Sequence, residues 1–149
     1  MTGDEEQIWA AVRDMYDAYL AADTARIDRH ILPEATIWDS ERPGLAHGLA
    51  ALDAIRAQRP PRDQGPQAIA IHVYRPVLDV IGDVAVARHV FAVRYAGDAH
   101  PAGVVRNTGV WRRTGGGWRL AHNHEDALPA ATAAAYLDTL VAEEPKTAK

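Results

Sequence analysis

The stretch Gly109-Val-Trp-Arg-Arg-Thr-Gly-Gly-Gly-Trp118-Arg-Leu-Ala-His122-Asn-His124-Glu125-Asp126 decides the fold class. Its three glycines supply the backbone freedom of a tight turn, and apolar and polar residues are interleaved on both sides of it. The pattern predicts two strands, Gly103 to Thr114 and Trp118 to Asp126, joined as a hairpin. The glycines are not read as a phosphate loop, because they open a strand, whereas phosphate loops open helices.

Working upstream, Gln67 to Ile81 and Val84 to Tyr95 are rich in valine and isoleucine and are separated by the turn Gly82-Asp83. Pro76 inside the first of these runs predicts an edge strand or a bulge. Before residue 60 the pattern is helical. Ile8, Val12, Met15 and Tyr19 recur at helical spacing, with Trp9, Tyr16 and Leu20 widening the stripe. Asp23 is placed to cap a short helix from Thr24 to Ile31, ended by Pro33. Ala35 to Asp39 reads as a short strand, Ser40 to His47 as a loop, and Gly48 to Arg59 as a third helix stopped by Pro60-Pro61. Downstream, Ala130 to Glu143 predicts a final helix, and Glu144 to Lys149 a flexible tail. Helices followed by an antiparallel meander predict an α+β fold with helices packed on one face of a strongly curved sheet.

The composition bounds the function. The chain has 149 residues, 48% hydrophobic and 24% charged, which suits one globular domain spanning 1–149. A net charge of -4 argues against nucleic acid and anionic membrane surfaces as partners. With no cysteine, disulfides, thiol catalysis and thiolate metal sites are excluded. Ser40 is the only serine and no nucleophile elbow surrounds it. No apolar run reaches the roughly 20 residues of a membrane span, and the acidic N-terminus lacks a signal-peptide core. A cytoplasmic protein is expected. Both faces of the later strands carry apolar residues, so a homodimer through the face not covered by helices is expected too.

Over Ile8 to Ala127 the chain resembles the nuclear transport factor 2-like superfamily. Gly109 to His124, extended by Val80-Ile-Gly-Asp83-Val-Ala-Val-Ala, is similar to the end of the calcium/calmodulin-dependent protein kinase II association domain. Ala35-Thr-Ile-Trp38-Asp39, with Gly48 and the Ile55-Arg56 helix, is similar to the segment that carries the general base of ketosteroid isomerase. SnoaL-like polyketide cyclases share the layout. The resemblance implies a cone-shaped fold that encloses a pocket for a small, mainly apolar carbonyl compound. It places Asp39 at the position of a proton-shuttling carboxylate. The isomerase's helix-one tyrosine falls on Met15 and its protonated aspartate on Gly109, so that oxyanion hole is not transferable.

Strand alternation nominates the rest of the lining. If Gly109 faces inward, so do Asn107 and Trp111, and the same alignment turns Asn123, Glu125, His89 and Phe91 inward. Asp39 is then the candidate base and His89 an acid/base partner titrating near neutrality. Asn107 and Tyr19 are candidate polarising donors. Met15, Trp38, Phe91, Trp111, Asn123 and Glu125 complete the expected ligand contacts. His122 and His124 share one strand face, as metal-binding pairs do, but that face points away from the cavity and no third ligand is spaced for it. No metal and no cofactor are expected. Three readings follow: an isomerase, dehydratase or cyclase, a non-catalytic ligand-binding or oligomerisation module, or a scaffold with its cavity filled by its own side chains.

Overall fold

The computed structural model describes residues 1–144; residues 145–149, where the sequence places most of the flexible tail, lie outside the described residues. Helix α1 spans Gly3–Leu20, with the Thr2 hydroxyl accepting from the Glu5 amide and three acidic residues facing the positive end of its dipole. Helix α2 is a single turn, Thr24–Asp28, capped by Asp23, whose carboxylate accepts from the Arg26 amide. It stops three residues short of the expected end because strand β1, Ile31–Trp38, already starts at Ile31. Pro33 lies inside that strand rather than before it. A register irregularity between Ile31 and Thr36 absorbs the missing amide donor.

The expected loop after β1 contains a further short strand, β2, Leu45–His47, which leads into α3, Gly48–Gln58. Gly48 is required at this junction. Its φ is +82°, and a Cβ there would lie 2.9 Å from the Pro33 carbonyl oxygen. Strands β3 (Ala68–Ile81), β4 (Val84–Tyr95), β5 (Gly103–Thr114) and β6 (Gly117–Ala127) follow, and α4 spans Ala130–Glu143.

The six strands form one sheet in the order β2-β1-β6-β5-β4-β3. It is mixed rather than purely antiparallel, because β1 runs parallel to β6 while every other pair is antiparallel. A parallel pair needs a long crossover, and the whole β2-to-β5 segment provides it. β3 is an edge strand, and its ladder slips between Tyr74 and Val77, where Pro76 would otherwise leave a hole. Arg75, within the slip, has φ of +52°. A non-glycine residue held there costs on the order of 1 kcal/mol, and the following proline disfavours helical backbone further.

Apolar alternation then builds three layers. The inner face of the sheet packs Ala85, Ala87, Trp111, Trp118 and Leu120 against Ile8, Ala11 and Val12 of α1 and Leu52 of α3. The outer face packs Tyr74, Val90, Ala92 and Val104 against Ala133 and Leu140 of α4. Helices therefore cover both faces. The final helix folds back on its own sheet, where Val90, Ala92 and Val104 offer it an apolar strip.

Candidate functional site

Cross-strand register assembles a polar row on the inner face. His89 of β4 is opposite Asn107 of β5, and Asn107 is opposite Glu125 of β6. One level along, Ala87, Gly109, Asn123 and Ile37 are aligned in the same way. With a side-chain period of two, all these residues share the face that meets α1. An imidazole, an amide and a carboxyl group thus occupy one level of three neighbouring strands, while on the next level Trp111 and Leu120 fill the space over Gly109.

Helix α1 closes the row from above. Tyr16 Oη lies 2.5 Å from His89 Nε2. The Tyr16 ring is 4.8 Å from that of Phe91, and Trp9 meets the His89 imidazole edge-on at 5.4 Å. Trp9 and Tyr16 are seven residues apart, two helical turns, which brings both to the same face. The buried His89, 5% exposed, is driven by desolvation down to about 4, so it is neutral at physiological pH. Its Nδ1 is buried without a protein partner, a stranding that costs about 1–3 kcal/mol. Burial, and then the charge of Glu125, hold the Tyr16 phenol well above its ordinary range, so it keeps its proton.

Glu125 retains some exposed surface, yet desolvation and the neighbouring Asp39 carboxylate raise it to about 7. Arg59 and the Asn123 side chain oppose that rise by favouring the charged form. Asp39 itself is committed elsewhere. Its side chain, 10% exposed, accepts from Arg59 at 2.9 Å and from the Glu41 amide at 3.1 Å, closing the turn after β1.

The expected site residues therefore separate into groups. His89, Asn107, Asn123 and Glu125 share the inner face, Phe91 packs beside His89, Met15 packs against the apolar core, and Trp111 is a core residue only 2% exposed. Tyr19 does not reach the row. It is 42% exposed, and the Arg62 guanidinium lies 5.0 Å from its ring centroid. It lies about one turn beyond Tyr16, in the last turn of α1, where the helix runs past the row and meets Arg62 instead. Trp38 is likewise not a lining residue: it pairs with His124 on the opposite face and is 38% exposed, as alternation from the inward Ile37 dictates. His89 does not titrate near neutrality, because nothing charged compensates its burial. His122 and His124 face outward, and Thr36 Oγ1 shares a 2.8 Å hydrogen bond with His122 Nδ1. Among the described residues no cluster of three metal-ligating side chains occurs. Tyr16 and Arg59 were not singled out from the sequence. The Trp9-to-Tyr16 spacing is the signal that points to the first, whereas the second is brought to Asp39 only by tertiary packing.

Several solved structures share this architecture. The calcium/calmodulin-dependent protein kinase II hub of S. rosetta superposes with a TM-score of 0.72 at 21% identity, covering 86% of this chain and 99% of that one. A nuclear transport factor 2-like protein with a cystatin-like fold from Novosphingobium aromaticivorans gives 0.70 at 22% identity, covering 90% and 88%. A protein from Parabacteroides distasonis that carries a provisional ketosteroid isomerase name gives 0.68 at 18% identity, covering 85% and 89%. At these identities the likeness establishes the fold alone. No curated protein matches the sequence significantly. The SnoaL-like domain model matches residues 8–129, from the first core residue of α1 to the residue that precedes α4, and the chain belongs to the SnoaL-like family.

Proposed function

We propose that this protein is a pocket enzyme that moves a proton on a small, mainly apolar carbonyl compound, with Glu125 as the acid/base group. The observation that carries this reading is the level set of Glu125, Asn107 and His89 on the inner face beneath the Tyr16 hydroxyl. A carboxyl group near pH 7 is matched to both accepting and returning a proton under physiological conditions. Asp39, the candidate from the sequence, acts here through its field: with Arg59 it sets the charge beside Glu125.

In this mechanism ionised Glu125 removes a proton from the carbon next to the ligand carbonyl. Negative charge develops on the carbonyl oxygen, and a neutral donor in a dry site stabilises it. Tyr16 is that donor. With the proton of His89 on Nε2, the imidazole donates to Tyr16 Oη and leaves the phenolic proton for the ligand oxygen. Asn107 orients the ligand between these groups, and protonated Glu125 returns the proton at a second carbon or assists departure of a leaving group.

Solvent-deuterium exchange into a panel of small cyclic ketones and enones tests this. Exchange by the wild type should rise through pH 7 and fall by about 10²–10⁴-fold in Glu125→Gln. A panel without enzyme-dependent exchange, or an unimpaired Glu125→Gln, would refute it. A second reading, a non-catalytic binding or oligomerisation module, is favoured by the packing of Trp9, Tyr16 and Phe91 around His89. It predicts ligand binding without exchange and equal affinity in Glu125→Gln. A homodimer, under either reading, would use the exposed apolar end of the outer face around Ile81 and Val84.

A further inference from the structure

On the outer face, behind the polar row, a second set of polar side chains surrounds a cleft of about 450 Å³. Arg75 of β3, Arg88 of β4 and Arg106 of β5 line it, together with Thr108, His124 and Tyr136 of α4. We propose that this cleft binds a small polyanion carrying two or more carboxylate or phosphate groups. The proposed proton transfer uses none of these side chains, and His89 and Asn107 contribute to the floor from the far side of the sheet.

The case begins with charge. Three guanidinium groups from three consecutive strands converge on one cleft, an arrangement that mutual repulsion disfavours unless anions answer it. Of the anions supplied by the chain, Asp126 lines the cleft beside Arg106, while Asp79 and Glu143 lie outside its lining. Arg75 pairs with Glu143, Arg88 with Asp79 and Arg106 with Asp126, and all six side chains are well exposed. Ion pairs in that setting are weak, so a ligand that offers its own oxyanions can take the guanidinium groups over at little loss.

Two further features point the same way. Arg88 Nε is buried and has no protein partner, although the tip of the side chain reaches solvent. It is a donor at the base of the cleft that the fold leaves unanswered. Arg75, in turn, occupies the left-handed backbone region directly before Pro76, within the slip of the β3 ladder. Its guanidinium lies 5.6 Å from the Tyr136 ring centroid and donates to the Tyr136 hydroxyl at 3.3 Å. Backbone strain of this kind persists where a side chain must be aimed, and here it is aimed at the cleft. The volume lies within the range of small-molecule sites.

Calorimetric titration of the full chain with inorganic pyrophosphate and, separately, with succinate at low ionic strength tests the assignment. Saturable one-to-one binding of at least one of them is expected, weakened about tenfold or more in Arg88→Ala and in Arg106→Ala. Arg106→Lys, which keeps the charge but loses the fork, should fall between. Tighter binding of pyrophosphate identifies a phosphorylated ligand class, and tighter binding of succinate a dicarboxylate. Glu125→Gln should bind as the wild type does, which separates this site from the inner one. Failure of both probes to saturate below about 10 mM, or undiminished binding in both alanine variants, overturns the proposal. Both arginines are exposed at their tips, and should either alanine variant fail to fold, the other decides.

Discussion

Glu125 and His89 face each other across Asn107 and are displaced in opposite directions by the same burial. For His89 the folded-state value of about 4 lies below the ordinary 6.5, so the unfolded chain binds more protons between those limits. His89 therefore costs stability as pH falls from about 6.5 to 4. Glu125 is raised from 4.5 to about 7, so the folded chain binds more protons in that window. Its contribution is present below about 4.5 and is lost as pH rises to 7. The two slopes oppose each other between about 4.5 and 6.5, where the wild type should show a nearly flat stability profile. Glu125→Gln should leave the histidine slope uncovered, with stability rising by on the order of 2 kcal/mol from pH 4.5 to 6.5. His89→Gln should show stability falling over the same range. Urea denaturation at stepped pH reads both, and parallel profiles for all three proteins would contradict the pairing. The sequence nominated His89, Asn107, Asn123 and Glu125 because alternation along a strand carries over directly to a sheet face. It placed Tyr19 and Trp38 in the lining, whereas Tyr19 lies a turn beyond the row at the end of α1 and one strand step turns Trp38 to the opposite face.

At the scale of elements, the joints are more demanding than the strands. Gly48 links β2 to α3 beneath the Pro33 carbonyl, and Gly48→Ala combines a left-handed backbone with a steric conflict. It should lower stability by at least about 2 kcal/mol in chemical denaturation, whereas Gly65→Ala, with open space around it, should be close to neutral. The hairpin that announced the fold is tied to the start of α1. Arg113 donates to both Asp4 carboxylate oxygens, the Trp118 indole donates to the same group, and the Arg113 guanidinium lies 4.5 Å from the Trp118 ring centroid. These bonds, Arg113's foremost, hold Asp4 down at about 2. Helix α4 depends on fewer residues. Leu140, 2% exposed, is its deepest anchor on the outer face, and Leu140→Ala should cost about 2–4 kcal/mol. A smaller loss in thermal or urea unfolding would show that α4 docks loosely.

At the scale of the molecule, α4 decides how much surface is left for others. It covers the outer face over Tyr74, Val90, Ala92 and Val104, while Val77, Ile81 and Val84 remain exposed toward the β3–β4 turn. A dimer through that end predicts that Val84→Glu shifts sedimentation from dimer to monomer without loss of the fold. A wild type that sediments as a monomer at micromolar concentration removes the dimer from the account. No helix of the described residues is long and apolar enough to cross a membrane.

The sequence by itself determined the order of elements, the hairpin at the triple glycine, the edge position of the Pro76 strand and the inward set on β4 to β6. Each of these follows from periodicity or local backbone chemistry, which act within a few residues. Only the tertiary structure decided that β1 pairs in parallel with β6, that α4 covers the outer face, and that Tyr16 meets His89. It alone joined Arg59 to Asp39, leaving Glu125 as the carboxyl group near neutrality. Those outcomes depend on contacts between distant segments and on the desolvation they cause, and no local pattern encodes how far a given side chain is removed from water.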